Sequence, residues 1–533
     1  MQIATLGHAG FCVETDKSII IMDPWLSPHG AFDAAWFQYP RNHHLAAKVQ
    51  SLLTTKTKNK YIYISHEHQD HYDLSFLQSL RSRNFTLLLA KFKYSMIKDE
   101  LNRLAYSCKN IVELNNEELY MTPDCSIVLF ILDNQIACDS AILVKDKDHT
   151  FLNMNDCKIN DRLATIKDQY GPIDVLSGQF SGASWYPTCY QMTKKSYEIQ
   201  CESKVEQKFI SIAKAIATIK PKLFLPSAGP PCFLDPLLFD IQLQEINTYP
   251  RAAELIQYLN QHHRKLKKIT TWIETWPGDA IDINTLQIKH DEHQHVLDHD
   301  FKTYIKAYAK DYAEFFDTRQ KENKAIHPEL VFKALKEALR VKINALKGVC
   351  KSITPLLYWR ISDYPEHMYC IDLAEKTISV RTSIEDPHHY YRITSPAWVM
   401  NKVLNQTLSW SDVALTFRVQ LERVPDVYND MIHAFLVLDE KKLRSYCKQR
   451  IEEKKKNERI IIENEGIKYS ILRYCPHQGA DLKEAWFKDG CLICPRHQWA
   501  FDLKHQGACK NNGTSIDALC IQDDSHKDEQ QNR

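Results

Sequence analysis

The sequence predicts a multidomain protein that starts with a layered α/β domain, continues with an α+β domain and ends with a small all-β domain. Its 533 residues exceed what a single hydrophobic core accommodates. Over residues 1–285, short apolar runs that end in polar residues alternate with helical stretches, as in a sheet flanked by helices. We therefore place the domains at 1–285, 286–445 and 446–522, and we expect the polar tail at 523–533 to be disordered.

The composition argues against several classes of partner. The chain has 68 Lys and Arg against 67 Asp and Glu, so no net field favours nucleic acid or a membrane surface. We find no signal peptide and no run of 18 apolar residues. The 16 cysteines are scattered, which fits reduced thiols better than a disulfide framework. We therefore expect a cytoplasmic protein.

In the first domain, apolar runs and helical stretches follow one another in a regular order. The predicted strands lie at 19–22, 61–64, 86–90, 126–130, 141–144, 150–153 and 223–225, and the predicted helices include 205–219 and 251–264. The runs at 141–144 and 150–153 form a hairpin pair. Ligands bind at the ends of such strands in α/β domains.

A cluster of metal-ligand side chains follows the predicted strand at 61–64. His66, His68, Asp70 and His71 lie within six residues. Residues two apart on an extended backbone point the same way, so His66 and His68 can converge on one ion. Asp70 and His71 turn the corner and offer ligands to a second ion. A solvated polar turn is the alternative, and this density of ligands disfavours it. We predict that these four residues bind metal and form the catalytic centre.

The second domain is read mainly from its periodicity. Residues 286–300 are polar and contain His290, His293, His295 and His299, which favours a solvated linker over a metal site. Residues 301–347 have the pattern of amphipathic helices, and 369–373 with 377–380 have the pattern of paired strands.

The third domain carries the most specific motif of the chain. Cys475-Pro-His477 is followed, after sixteen residues, by Cys494-Pro-Arg-His497. Two thiolates and two imidazoles could bind zinc, but this pairing fits a Rieske [2Fe-2S] cluster better, with both sulfurs on one iron and both histidines on the other. Cys491 and Cys509 do not fit ligand positions. Because such a cluster passes single electrons and binds no substrate, another site must use the electron, and the cluster at 66–71 is the candidate.

Several motifs of the first domain together resemble the metallo-β-lactamase fold, an αββα sandwich. They are the His-x-His-x-Asp-His pattern at 66–71, the Gly-His-Ala-Gly run at 7–10 and the Asp-Pro-Trp-Leu run at 23–26. The resemblance implies that Asp156 is a further, metal-bridging ligand. It also implies a third histidine after the strand near Asp133 and a late histidine near Ser227, and both are missing. We therefore expect an open centre with positions for O₂ or water, and His8 is a candidate substitute ligand or a hydrogen-bond partner of a ligand.

Because the chain combines such a domain with a Rieske domain, it resembles the CMP-N-acetylneuraminate hydroxylase family. The stretches that carry this resemblance include 152–157, 181–187, 226–229, 271–278 and 410–428. The Rieske domain is C-terminal here, whereas it comes first in the vertebrate hydroxylase. The resemblance implies a Rieske-dependent non-haem iron monooxygenase that hydroxylates the N-acetyl group of a sugar nucleotide. It also implies O₂ and an electron donor, such as a ferredoxin or a cytochrome b5-like protein with its reductase.

Two other functions stay open at this point. A zinc pair in the same ligands would make a hydrolase with a regulatory Rieske cluster. An electron-transfer or sensor protein would need only the C-terminal cluster. Residues 286–445 loosely resemble sterol-carrier-like modules, which could cover the active site or help bind the substrate. Side chains that could contact phosphate or sugar, unless they serve packing, are Arg418, Arg423, Trp185 and Tyr186.

Overall fold

In the computed structural model, two β-sheets lie face to face in the N-terminal part of the chain. The structure describes residues 1–94, 96–133, 138–292, 300–346, 355–453, 458–510 and 514–521. The sequence predictions for His293, His295, His299 and the tail at 523–533 lie outside these residues.

The strands of this part are β1 (Gln2–Gly7), β2 (Gly10–Glu14), β3 (Ser18–Met22), β4 (Asn59–Ile64), β5 (Thr86–Ala90), β6 (Asn110–Leu114), β7 (Leu119–Met121), β8 (Ser126–Asp133), β9 (Cys138–Lys145), β10 (Thr150–Asn153), β11 (Val175–Gln179), β12 (Leu223–Ser227), β13 (Thr271–Trp272), β14 (Ala280–Asp282) and β15 (Ile288–Lys289). The helices are α1 (Leu45–Thr54), α2 (Leu74–Ser79), α3 (Met96–Arg103), α4 (Leu163–Tyr170), α5 (Trp185–Thr188), α6 (Lys194–Ile219) and α7 (Ala252–His262).

The two sheets mix parallel and antiparallel strands. Among the described residues, the first sheet has the order β15-β14-β1-β2-β3-β4-β5-β6 and the second has the order β13-β12-β11-β10-β9-β8-β7. Strands β3 to β6 run parallel, and so do β10 to β13. The predicted hairpin is β9 with β10, paired antiparallel. The carboxyl ends of the parallel strands therefore form edges at which a site can be built.

Alternate residues of the strands enter different cores. Ile20 and Met22 of β3 face the second sheet, whereas Ile19 and Ile21 face the helices α1 to α3. On the far side, α4, α6 and α7 pack on the second sheet. A strand with both faces buried reads as a continuous apolar run, which is why 19–22 was recognisable in the sequence. The order helix, sheet, sheet, helix confirms the predicted αββα sandwich.

The middle part is helical at first and then forms its own sheet. Its elements are α8 (Phe301–Asp311), α9 (Ala313–Lys324), α10 (Pro328–Ala345), β16 (Leu356–Ile361), β17 (Tyr364–Asp372), β18 (Thr377–Arg381), β19 (Tyr390–Ser395), α11 (Ala397–Leu404), α12 (Trp410–Leu415), β20 (Gln420–Val424), α13 (Asp430–Val437) and α14 (Glu440–Glu453). The strand order is β18-β17-β16-β19-β20. Buried Trp25, Phe32 and Trp36 of the N-terminal part share one apolar core with this part.

The C-terminal part is made of small antiparallel sheets. Its strands are β21 (Arg459–Asn464), β22 (Ile467–Leu472), β23 (Trp486–Lys488), β24 (Cys491–Ile493), β25 (Ala500–Asp502), β26 (Ala508–Cys509) and β27 (Leu519–Ile521). They form the sheets β21-β22-β27 and β23-β24-β25-β26. Within the described ranges, no helix is long and apolar enough to cross a lipid bilayer.

Candidate metal centre and cluster site

The predicted metal ligands of the N-terminal part meet at one edge of the sandwich. His66 to His71 follow the end of β4, and Asp156 follows the end of β10. Strand β9 runs antiparallel to β10, so its first residues, including Asp139, lie at the same edge. Side chains from three strand ends therefore converge, as expected for a site in this class of fold.

His66, His68 and Asp139 form one side of the cluster. Nε2 of His66 lies 2.8 Å from Nδ1 of His68. Nδ1 of His66 lies 3.4 Å from a carboxylate oxygen of Asp139. His66 is 2% exposed, and burial together with the His71 and His68 imidazoles lowers the pKa of His66 well below its ordinary value. His66 is therefore a neutral imidazole, the form that binds a metal.

Asp70, His71, Asp156 and His8 form the other side. Nε2 of His71 lies 3.5 Å from Asp156 and 3.8 Å from Asp70. Nε2 of His8 lies 2.9 Å from Asp70. Burial favours the protonated acid, but the His71 and His8 imidazoles outweigh it and lower the pKa of Asp70. His8, the candidate substitute ligand, therefore stands beside a predicted ligand.

Asp23 orients the cluster from behind, and sequence reasoning did not assign it a role. Its carboxylate lies 2.8 Å from Nδ1 of His71 and accepts hydrogen bonds from the backbone and the hydroxyl of Ser65, at 2.8 and 2.7 Å. The Ser65 hydroxyl in turn lies 3.0 Å from Nδ1 of His66. A carboxylate that holds one ring nitrogen of a histidine leaves the other free for a metal.

Asp139 is the second residue that sequence reasoning missed. It is 7% exposed near the start of β9, just before the apolar run at 141–144, and a carboxylate at such a buried position is the signal that could have identified it. Burial and the Asp156 carboxylate raise the pKa of Asp139 well above its ordinary value. A cation between the two carboxylates would relieve this repulsion and stabilise both anions.

The donor atoms at this edge fit a metal centre. At this edge, buried atoms without a hydrogen-bond partner among the described residues include Oδ1 of Asp70, Nε2 of His71 and Oδ1 of Asp156. One group of donor atoms lying within 4.8 Å of one another comes from His66, His71 and Asp156, and a second comes from His8, Asp70 and His71. Buried polar atoms without partners are costly unless a ligand satisfies them. Imidazole and carboxylate together suit iron or zinc.

The two positions at which the fold resemblance led us to expect histidines have other roles. Asp133 accepts a hydrogen bond from the backbone of Lys93 at 2.6 Å, and residues 134–137 lie outside the described residues. The hydroxyl of Ser227 lies 2.8 Å from that of Ser177, so it belongs to the contact between β11 and β12.

The middle part of the chain reaches the metal centre. Gln69 donates a hydrogen bond to Asp412 of α12 at 3.1 Å, and Lys442 of α14 pairs with Glu67. Arg418, a candidate phosphate contact, is instead paired with Asp235 at 2.6 Å, which favours a packing role. The middle part therefore helps to fix the loop that carries the predicted ligands.

The four predicted cluster ligands are also brought together. The imidazoles of His477 and His497 have ring centroids 4.5 Å apart, and Trp499 stacks on His477 at 4.0 Å. A hydrogen bond between the Cys475 and Cys494 thiols lowers the pKa of Cys494. Burial lowers the pKa of His477 to about 3. Neutral imidazoles beside paired thiols are the donor set of a cluster with two histidine ligands.

The C-terminal part docks on the loop that carries Asp156. Arg496, next to His497, binds Asp161 through Nε at 3.1 Å and Nη2 at 2.8 Å. The side chains of Asp161 and Arg496 are 3% and 10% exposed. The backbone of Asp481 also donates to Asp161 at 3.2 Å. Because Asp161 lies five residues after Asp156, these contacts join the C-terminal part to the segment that follows a predicted metal ligand.

Comparison with known proteins identifies the C-terminal part. The family model of the Rieske [2Fe-2S] domain matches residues 434–519. These residues form a Rieske domain. The match confirms the predicted cluster as a cofactor. It begins at residue 434, before the predicted domain boundary at 446, and it includes the whole of α14, which spans that boundary.

The similarity to relatives extends over most of the chain. A putative Rieske 2Fe-2S iron-sulfur protein of Mycolicibacterium smegmatis is 27% identical over 96% of this chain and 98% of its own length. The cytidine monophosphate-N-acetylneuraminic acid hydroxylase of Xenopus laevis is 24% identical over 80% of this chain and 70% of its own. Among solved structures, CmlA, a diiron beta-hydroxylase from Streptomyces venezuelae, is 16% identical, covers 54% of each chain and has a TM-score of 0.35. The Rieske domain and the hydroxylase relatives confirm the predicted resemblance to the CMP-N-acetylneuraminate hydroxylase family. They also confirm the prediction of an oxidoreductase of the hydroxylase class.

Proposed function

We propose that the protein is a Rieske-dependent non-haem iron monooxygenase that hydroxylates a small polar substrate. The observation that carries the proposal is the docking of the Rieske domain, through Arg496 and Asp161, beside the loop that bears Asp156. Hydrolysis transfers no electrons, so it does not need an electron-transfer domain beside the metal centre. The relatives named as N-acetylneuraminic acid hydroxylases support the N-acetyl group of a sugar nucleotide as the target.

The residues of the N-terminal edge would hold the metal. The proposed ligands from the loop that follows β4 are His66, His68, Asp70 and His71. Asp156 and Asp139 lie opposite them. Iron bound there would activate O₂, while the [2Fe-2S] cluster on Cys475, His477, Cys494 and His497 would supply single electrons. In the overall reaction one oxygen atom of O₂ enters a C–H bond, and two electrons and two protons convert the other to water. An external donor, such as a ferredoxin or a cytochrome b5-like protein with its reductase, would provide the electrons.

The protein's own groups would prepare the centre for this reaction. Asp23 fixes His71, and Ser65 contacts His66, so the two imidazoles keep their orientation. The buried side chains exclude bulk water from one side of the centre. Exclusion of water would limit side reactions in which O₂ is reduced without hydroxylation of the substrate.

Metal analysis with EPR spectroscopy tests the proposal. We expect the purified protein to contain more than two irons per chain and to show a Rieske signal after reduction. His68→Ala should remove the additional iron and oxygen-dependent turnover of CMP-N-acetylneuraminic acid while the Rieske signal persists. Two irons with stoichiometric zinc would favour the hydrolase instead. Loss of the cluster signal in His68→Ala would show that the two sites are not independent.

A further inference from the structure

A cavity of about 270 Å³ lies next to the metal centre, between the loops that follow β1, β12 and β13. His8 lines this cavity and also lies 2.9 Å from Asp70, so a single imidazole ring connects the cavity to a proposed metal ligand. Pockets that enclose drug-sized ligands measure roughly 300–1,000 Å³. The cavity therefore suits a small molecule, or one part of a larger one.

The cavity wall contains an arginine, Arg251, that forms no close ion pair among the described residues, although the carboxylates of Glu254 and Glu274 act on its charge from a distance. Nη1 of Arg251 is buried and has no hydrogen-bond partner among the described residues. One face of the guanidinium lies on Phe301, with Cζ 3.0 Å from the ring centroid. A guanidinium packed in this way has its planar edge left for a ligand, and that edge matches the two oxygens of a carboxylate or phosphate.

The rest of the wall provides a polar group and aromatic rings. Glu274 lines the cavity and forms no ion pair with Arg251 in the described part of the chain, and burial raises the pKa of Glu274. Trp276 and Tyr39 contribute rings whose centroids lie 6.4 Å apart. Aromatic faces with a few convergent polar groups are typical of small-molecule sites.

Glycines keep the cavity open where the loops approach each other. Gly229 has φ +128°, and a Cβ atom there would lie 2.4 Å from the backbone oxygen of Ser181. Gly7 has φ +97°, and a Cβ atom there would lie 2.9 Å from Gln38 and 3.3 Å from Pro277. Both glycines line the cavity, so any larger residue would strain the backbone and move the wall.

We infer that this cavity is the substrate pocket and that it takes a small molecule bearing a carboxylate or phosphate group, with the oxyanion on Arg251 and the remainder between Trp276 and His8. The inference rests on the proposed oxygenase for the identity of the metal centre that acts on the bound molecule. The recognition itself depends only on the Arg251 guanidinium, the aromatic wall and the cavity.

Calorimetric titration of the oxidised, resting protein tests the pocket without turnover. The probes are N-acetylneuraminate, which carries a carboxylate, CMP, which carries a phosphate, and uncharged N-acetylglucosamine. We expect at least one charged probe to bind at least tenfold more tightly than N-acetylglucosamine. The charged probe that binds identifies which oxyanion the pocket takes. Absence of binding by both charged probes at millimolar concentration would overturn the inference.

Variants then locate the binding site. Arg251→Gln should weaken the charged probe at least tenfold, and Arg251→Lys, which keeps the charge but not the planar fork, should weaken it less. The control is Arg264→Gln, an exposed arginine that follows α7, and its affinity should equal that of the wild type. Equal affinities of Arg251→Gln and Arg264→Gln would also overturn the inference.

The same samples separate this inference from the proposed function. Iron content and the Rieske EPR signal are measured on each variant and should not change in Arg251→Gln. If the probe binds through Arg251 but the wild-type protein shows no oxygen-dependent turnover, the pocket stands and the oxygenase proposal fails. If turnover occurs and is unchanged in Arg251→Gln, the oxygenase stands and the pocket fails.

Discussion

Replacing Asp161 by Asn tests how the Rieske domain is held beside the metal centre. The substitution removes the charge that faces Arg496, whose side chain is 10% exposed and keeps a second hydrogen bond, to the backbone oxygen of Gln478 at 3.0 Å. Removing one partner of a buried ion pair costs about 3–5 kcal/mol. We expect the lower end, about 3 kcal/mol, because Asn keeps one acceptor oxygen.

Hydrogen exchange followed by mass spectrometry measures this change in peptides that cover 158–164 and 478–484. Amides at the interface exchange while the Rieske domain is transiently undocked. Since each 1.4 kcal/mol changes an equilibrium constant tenfold, a loss of about 3 kcal/mol should make this exchange about a hundredfold faster in Asp161→Asn. Reduction of the metal centre by the cluster should slow, while the Rieske EPR signal stays unchanged.

The same interface offers a matched control. Lys488 and Glu206 form an ion pair at 2.9 Å, and their side chains are 42% and 52% exposed. Exposed pairs contribute less than about 1 kcal/mol, so Glu206→Gln should accelerate exchange by fivefold at most. Equal exchange rates in Asp161→Asn and Glu206→Gln would refute the reasoning, because burial would then not decide the strength of docking.

Three further predictions concern the site, pH and the cavity wall. Asp139→Asn should lower metal affinity at least tenfold, because it removes a proposed ligand. It should raise the melting temperature of the metal-free protein by a few degrees, because a neutral amide replaces a carboxyl group whose ionised form burial and Asp156 disfavour. Calorimetry of the metal-bound and metal-free proteins measures both changes. Burial lowers the pKa of His433 to about 4, so the stability that depends on its neutral form is complete above about pH 6.5 and is lost as the pH falls from there through 4. Denaturant unfolding of the wild type and of His433→Gln at pH 7 and pH 4.5 measures this loss. The free energy of unfolding should fall by up to about 3 kcal/mol less in the variant than in the wild type. Gly229→Ala should destabilise the protein by at least about 2 kcal/mol in urea unfolding, whereas Gly466→Ala, where φ is +79° and nothing lies within 4 Å of the added Cβ, should cost about 1 kcal/mol.

The sequence predicted the parts of the site that depend on local spacing. His66 to His71 follow one strand, and the two arms that hold Cys475 and Cys494 are short loops, so their geometry is encoded within a few residues. Strand patterns also predicted the sandwich, because strands buried on both faces read as continuous apolar runs.

The remaining parts depend on contacts between distant residues. The hairpin of β9 and β10 was predicted, but Asp139 lies two residues before the predicted strand at 141–144. A single carboxylate at that position does not show that it faces Asp156 and His66. Asp161 and Arg496 are 335 residues apart. Arg496 lies inside the Cys-Pro-Arg-His motif, but nothing in the sequence pairs it with Asp161. Arg251 meets the loops after β1, β12 and β13 only in the folded chain, where they line one cavity. Such features follow from tertiary packing, which the hydrophobic periodicity of the sequence does not report.

In the proposed oxygenase, the contact between Arg496 and Asp161 would also limit how electrons reach the cluster. It places the chain's own N-terminal part against the side of the Rieske domain that carries His497. An external reductase therefore competes with this intramolecular partner if it uses the same side. It must deliver electrons through another face of the domain or during a brief separation, and in the second case the docking strength sets the rate of reduction. A tighter contact would speed electron transfer from the cluster to the metal centre and slow reduction of the cluster by the external donor. Turnover would therefore be fastest at an intermediate affinity between the two parts of the chain.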